Sequence, residues 1–293
     1  MNYRFSSFKY PTLGLVLLAV IPYVNGEDLR MAVSDLLADA INPVIERVFE
    51  EEGIDCELES IGSLPAMDRL QSNQIDLAIL AIPQQSALPR EDFQVYPFAY
   101  DATVVVVGEG NPLDEISLIE LAGIYGISES LNFTSWGDLG LSGWGSRRIK
   151  PVFGSDEGSI CLELFRNRVL FNGELKPSVD VLRDHEVEKL LYSDSAAIAV
   201  MSSIPKDENL KVLMLSRTVD SPAYGPSNDN IHFDDYPIRL AFYIVGSFSN
   251  GAVTERILQV LWSDELSGIL EENEFFPLPE TVRRKYLMDL NFQ

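Results

Sequence analysis

The chain has 293 residues, with 22 Lys and Arg against 45 Asp and Glu, so its formal net charge is -23. This acidic excess argues against nucleic acid and against an anionic membrane surface as partners, because both need clustered basic residues. The length suits two lobes of ordinary domain size, and a hydrophobic content of 46% is that of a globular protein.

The N-terminus is typical of a secretory signal peptide, which we assign to residues 1–26. Arg4 and Lys9 provide the positive start, and residues 13–21 are apolar. A membrane anchor is the alternative, but a membrane span needs about 20 apolar residues. We therefore expect a periplasmic or secreted protein that does not insert into the membrane after signal cleavage.

Short strands alternate with helices in the first part of the mature chain. We predict strands at residues 29–33, 56–61 and 75–80, the last apolar enough to lie inside a parallel sheet. Apolar residues at three- and four-residue steps through Phe49 predict a helix between the first two strands, and Ser63 opens another. This order indicates a doubly wound α/β lobe.

A second series of elements follows a long β-branched run at residues 98–107. The elements predicted after it are a helix capped by Ser117, a loop at 128–148, a strand at 149–153, a helix after it, a strand at 196–201, a polar connection at 216–235, a strand at 236–245 and helices at 253–262 and 263–273. We interpret the runs at 98–107 and 236–245 as crossings between lobes.

The two crossings divide the mature chain into lobes. We expect residues 27–102 plus 241–293 to form lobe 1 and residues 103–240 to form lobe 2. A ligand would bind in the cleft between the lobes, where helix N-termini face each other.

The cysteines and histidines favour a binding protein over an enzyme. We place Cys56 and Cys161 in different lobes, so two buried free thiols are expected rather than a disulfide. His185 and His232 form no metal-binding pair, and nothing identifies a base that would activate Cys161. We expect no enzymatic activity, no metal and no cofactor.

Several short motifs follow one another in an order that resembles a known family. The segments that carry this resemblance are residues 59–63, 70–78, 100–107, 111–113, 117–121, 136–140, 152–165, 196–200 and 236–238. Together they resemble the phosphate-binding proteins of bacterial ABC phosphate transporters, in the periplasmic-binding-protein-like superfamily. The resemblance implies a divergent member with the type 2 fold: α/β, two lobes, a double crossover hinge and a central interlobe cleft.

The resemblance also implies where a ligand would bind. Carried over by position, the ligand-binding residues are Ser34, Asp35, Ser63, Ser155 and Ser159. Members of this family hold a dehydrated oxyanion with helix N-terminal amides, hydroxyls, one Arg and one Asp, because amide donors and helix dipoles favour negative charge. Each serine could instead be an ordinary helix cap, or could serve in both ways.

The chain departs from the family pattern at the residues that carry charge. The family Arg falls on Ser155 and its acceptor Asp on Ala81, while its Gly-Thr pair falls on Ile160 and Cys161. Pro65 removes an amide donor from the second helix. We predict a monomer that captures a small anionic solute, phosphate or a related oxyanion, for an ABC permease. The alternative is a repurposed binding or signalling module with a degenerate site.

Overall fold

The computed structural model describes residues 29–83, 87–155, 159–247 and 251–290, so the signal peptide predicted at residues 1–26 lies outside the described residues. The strands are β1 Leu29–Ser34, β2 Cys56–Ile61, β3 Leu77–Ile82, β4 Gln94–Ala102, β5 Val104–Gly108, β6 Glu115–Ser117, β7 Lys150–Gly154, β8 Asp180–Leu182, β9 Ala197–Met201, β10 Leu210–Val212, β11 Met214–Ser216, β12 Arg239–Gly246 and β13 Phe276–Pro277. The helices are α1 Asp35–Glu51, α2 Ser63–Gln71, α3 Leu118–Tyr125, α4 Cys161–Arg168, α5 Asp184–Ser193, α6 Asn228–His232, α7 Gly251–Leu261, α8 Asp264–Glu272 and α9 Glu280–Leu290.

The strands form two main sheets, one for each lobe of an α/β fold. The larger sheet has the order β13-β4-β12-β3-β1-β2, in which β1 runs parallel to β2 and β3 while β12 runs antiparallel to β3 and β4. The smaller sheet has the order β10-β5-β9-β7-β8. The predicted two-lobed α/β class is confirmed.

Local sequence explains why the first helices form where they do. In α1, Leu37, Ile41, Ile45 and Phe49 recur at four-residue steps and are buried, which is the pattern of a helix with one face on the core. Helix α3 begins at a reciprocal cap, in which Ser117 accepts from the Glu120 amide and Glu120 accepts from the Ser117 amide. The predicted Ser117 cap is therefore confirmed.

The chain passes between the two sheets at two adjacent crossings. Thr103 separates β4 from β5, and its amide donates to the carbonyl of Ile238, just before β12, at 3.1 Å. The Tyr236 hydroxyl donates to the Thr103 carbonyl at 2.9 Å, and Thr103 is buried. The lobe boundaries predicted at 102/103 and 240/241 stay a prediction; β12 joins the larger sheet from Arg239 onward.

The structure adds detail at three places. The run at 98–107 is not one strand, because the chain leaves one sheet and enters the other at Thr103. The connection at 216–235 contains the short helix α6. Its N-cap residue is Ser227, whose side-chain oxygen accepts a hydrogen bond from the Asn230 amide. Helix α9 follows the last predicted helix. Within the described residues, no helix combines the length and apolar content that a membrane crossing requires.

Candidate functional site

Ser34 lies at the junction of β1 and α1, where β1 ends. It occupies the N-cap position of α1, but its side chain makes no capping hydrogen bond. The residue is 0% exposed, and its hydroxyl oxygen has no hydrogen-bond partner among the described residues. A buried hydroxyl without a partner costs roughly 1–3 kcal/mol, so this group is held in place at some expense to folding.

The N-terminus of α2 lies beside that of α1. Strands β1 and β2 are parallel neighbours with Ser34 opposite Ile61, so the two helices that follow them start side by side. The Ser63 hydroxyl oxygen accepts the Ala81 amide at 2.9 Å, which joins α2 to the end of β3. Asp35 is exposed in the first turn of α1, and a Cβ added at Gly62 would lie 3.9 Å from its Oδ2.

Ser155 and Ser159 lie on the smaller sheet and its helix α4. The Ser159 hydroxyl oxygen accepts the amide of Cys161 at 3.1 Å, so it serves as a cap at the start of α4. The Ser155 amide donates to the Leu182 carbonyl at 2.9 Å, which continues the pairing of β7 with β8. Both side chains are half-buried.

The two cysteines are free, as predicted, but only Cys161 is buried, because Cys56 is half-exposed on β2. The Cys161 thiol is hydrogen-bonded to the Thr103 side chain, which ties the start of α4 to the first crossing. Burial raises the pKa of the Cys161 thiol well above its usual range, and nearby Asp184 and Asp101 raise it further. The thiol therefore stays protonated, and the arrangement does not favour nucleophilic chemistry.

A buried carboxyl group, that of Asp184, packs against Gly154 of β7 in the smaller sheet. Asp184, the first residue of α5, accepts the Ser202 hydroxyl at 2.6 Å and the Ser202 amide at 3.3 Å. A Cβ at Gly154 would lie 2.0 Å from Asp184 Oδ1 and 3.2 Å from the Val200 carbonyl oxygen. Only glycine at position 154 leaves room for this carboxyl group.

Asp101 lies two residues before the first crossing, at Thr103. Its pKa is raised from 3.8 to about 6, chiefly by burial and also by the negative charge of Glu274, while a hydrogen bond from the Ala102 amide opposes the shift. A half-buried carboxyl group whose pKa is raised toward neutral pH is typical of functional sites.

Three arginines lie together at the second crossing, where two of them pair with Asp234, and none of the three was predicted as a site residue. Arg239 is 6% exposed, and its Nε donates to Asp234 Oδ1 at 2.8 Å. Arg217 donates to Asp234 Oδ2 at 2.9 Å and to the Asp234 carbonyl at 2.6 Å. Arg168, at the end of α4, donates to the carbonyls of Pro83 and Arg239 at 2.7 and 3.1 Å. We call these three residues the arginine cluster.

The structure also contains surface hollows. One of about 330 Å³ lies beside the end of α1 and is lined by Glu46, Glu50 and Cys56, among others. Another of about 230 Å³ lies between Lys206 and Phe275. Neither hollow is lined by any of the five predicted ligand residues.

The predicted ligand residues form two groups. Ser34, Asp35 and Ser63 are brought together where β1 and β2 end, on the larger sheet. Ser155 and Ser159 belong to the smaller sheet and α4. The links between these groups are the Cys161–Thr103 hydrogen bond and the two bonds from Arg168 to the ends of β3 and β12.

The two sheets and their connecting helices define a two-lobed α/β fold. Residues 24–252 match the family described as a PBP superfamily domain, which is well over half of the chain, so the chain belongs to the PBP superfamily. The phosphate-binding protein PstS of two Pseudomonas aeruginosa strains is 22% identical over 203 residues, covering 66% of this chain. The chain spans 63% of the length of these curated relatives.

Solved structures show the same fold at low sequence identity. PstS from Borrelia burgdorferi superposes with a TM-score of 0.70 at 16% identity, covering 86% of this chain and 98% of that one. A possible phosphate-binding protein from Planctomyces limnophilus gives 0.64 at 15% identity, covering 90% and 97%. An ABC-type phosphate transport receptor from Vibrio cholerae gives 0.61 at 18% identity, covering 86% and 100%. The predicted resemblance, including its divergence, is confirmed.

Proposed function

We propose that the protein is an exported, monomeric solute receptor that captures phosphate or a related oxyanion between its lobes and delivers it to an ABC-type importer. The support comes from relatives named as phosphate-binding proteins and as a phosphate transport receptor, together with the polar groups where β1 and β2 end. We propose residues 27–102 plus 241–293 and residues 103–240 as its two lobes. Its role is binding rather than catalysis.

The observation that carries this proposal is the hydroxyl of Ser34. It is fully buried at the N-terminus of a 17-residue helix and has no partner among the described residues. The first amides of a helix also lack partners within the helix, and its dipole places partial positive charge at that end. A small oxyanion bound there would accept hydrogen bonds from the hydroxyl and the amides together.

Ser63 supplies a second donor next to the first. Its hydroxyl oxygen already accepts the Ala81 amide, so its hydroxyl proton remains to be donated. Helix α2 adds the amide of Leu64, whereas Pro65 supplies none. We assign Asp35, which is exposed beside Gly62, to the rim of this site.

The substitutions in the family pattern shape the ligand that we propose. With Ser155 and Ala81 in place of a cation and an acceptor carboxylate, the site offers neutral donors and helix dipoles. Ser155 and Ser159 would approach the ligand from the other lobe. A neutral site of this kind binds an oxyanion without selecting one that still carries a proton.

Isothermal titration calorimetry with inorganic phosphate tests the proposal on two matched serines. Ser34→Ala removes a donor to the anion, and we expect phosphate affinity to fall by about tenfold or more, since a hydrogen bond to a charged group contributes roughly 1.5–3 kcal/mol. The protein should remain at least as stable, because the lost hydroxyl has no partner within the fold.

Ser117→Ala is the control, since Ser117 is also a buried serine at a helix N-terminus but is engaged in its own cap. It should lower stability by about 1 kcal/mol and leave phosphate affinity unchanged. The proposal fails if the folded wild-type protein binds neither phosphate nor another oxyanion, or if the two variants bind phosphate equally.

A further inference from the structure

The arginine cluster carries more positive charge than its surroundings neutralise. Arg217 and Arg239 both pair with the single carboxylate of Asp234, while Arg168 bonds to the Arg239 carbonyl. Arg168 has no ion pair within the described residues, and its Nε is buried without a hydrogen-bond partner. In a chain with 45 acidic and 22 basic residues, an unpaired half-buried arginine is unexpected.

The surroundings of Arg168 increase this imbalance. Its burial lowers its pKa, and the charges of Arg239 and Arg217 lower it further, while Asp234 raises it. His232 lies next to the cluster, and its pKa is lowered by burial and by Arg239, so the neutral ring does not offset the positive charge of the arginines. An additional anion held by Arg168 would relieve the repulsion among the three guanidinium groups.

The arginine cluster and the proposed oxyanion site meet at the end of one strand. Ser63 bonds to the amide of Ala81, and Arg168 bonds to the carbonyl of Pro83, two residues further along. The Cα atoms of Ala81 and Pro83 are at most about 7 Å apart. A single small molecule with two acidic groups can therefore contact both Ser63 and Arg168.

We propose that Arg168, with Arg217 and Arg239 behind it, binds a second acidic group of the cargo, so that the preferred solute is a phosphorylated organic acid rather than inorganic phosphate. This inference rests on the proposed function, because the phosphate group occupies the site at Ser34 and Ser63. The carboxylate of the same solute pairs with the Arg168 guanidinium, which has both charge and a free donor at Nε. The positive charge missing at Ser155 is thus supplied from the end of α4.

Calorimetry with a matched pair of probes tests this inference. 6-Phosphogluconate and sorbitol 6-phosphate share a six-carbon chain and a phosphate, and only the first has a carboxylate at its other end. We expect the wild-type protein to bind 6-phosphogluconate at least about tenfold more tightly than sorbitol 6-phosphate. Arg168→Gln should reduce this ratio to about one, whereas Arg168→Lys should retain part of it.

Arg166→Gln is the matched control, because Arg166 lies on the same helix but pairs with Glu174 and bonds to the Gly173 carbonyl. The Arg166→Gln variant should have the same ratio of affinities for the two probes as the wild-type protein. Arg217→Gln, at an exposed position, should also lower the ratio, and it keeps the inference testable if Arg168→Gln does not fold.

Two results would overturn the inference while leaving the proposed function intact. One is equal affinity of the wild-type protein for the two probes. The other is an Arg168→Gln variant that binds phosphate and both probes more weakly by one common factor, since Arg168 would then only tie the lobes together. Failure of the folded protein to bind phosphate or either probe would instead refute the proposed function itself.

Discussion

Asp101 should make the stability of this protein depend on pH in a direction opposite to that of a salt-bridged aspartate. Burial raises its pKa from 3.8 to about 6 in the folded state, so the folded protein binds this proton more tightly than the unfolded chain. Below about pH 4 the carboxyl group is protonated in both states and has no effect. As pH rises through the folded pKa, the buried group must ionise, and stability is lost.

The magnitude follows from the size of the shift. Each pKa unit corresponds to about 1.4 kcal/mol, so a shift of roughly two units costs about 3 kcal/mol at neutral pH. Asp101→Asn removes the ionisation, and its amide oxygen can still accept the Ala102 amide. We therefore expect the variant to gain stability relative to the wild-type protein between pH 4 and pH 7, by about 2–3 kcal/mol.

Urea unfolding at half-unit pH steps, followed by circular dichroism, measures this difference directly. Asp220→Asn is the charge-matched control, because it removes one negative charge at an exposed position of the same acidic chain. The reasoning is refuted if the difference between Asp101→Asn and the wild-type protein is flat across this range, or if it grows toward acidic pH. A flat difference would mean that water reaches the carboxyl group freely, and a difference that grows toward acidic pH would mean that the folded state stabilises the carboxylate.

Two further predictions follow from close contacts and from the missing acceptor. Gly154→Ala places a methyl group against Asp184 Oδ1 and the Val200 carbonyl, so we expect a loss of about 1–3 kcal/mol in urea unfolding, with Gly225→Ala as a control that meets nothing within 4 Å. The dissociation constants of phosphate and sulfate, measured by calorimetry, should differ by less than about tenfold, because Ala81 offers no acceptor for a ligand proton. Ala81→Asp should favour phosphate by more than about tenfold, and an unchanged ratio would contradict this assignment.

Local patterns predicted most of the α/β elements, because each lies in a short stretch of sequence. The apolar steps of α1 and the Ser117 cap are examples, since both depend on neighbours within one or two turns. A crossing was predicted within the run at 98–107, but its division into two strands at Thr103 could not be predicted in this way. A continuous β-branched run is equally compatible with one long strand, and only tertiary pairing ends β4 at Ala102.

The candidate site was only partly predictable for the same reason. The position of Ser34 after a strand suggested a helix N-terminus, but its lack of a partner depends on what packs around it. The arginine cluster joins residues from α4, the polar connection and β12, which are distant in sequence. The one local signal was Arg239 in an apolar strand. Because β12 is buried along its whole length, a charged residue within it needs a partner in the fold.

The strand order of the larger sheet has a consequence for how the protein is made. Strand β12 lies between β3 and β4, yet every strand of the smaller sheet is encoded between β4 and β12. While the chain is synthesised, β3 and β4 therefore expose open edges until residue 246 has emerged. The smaller sheet contains no strand that follows β12, so it can fold first. It would then hold the end of β4 close to the start of β12.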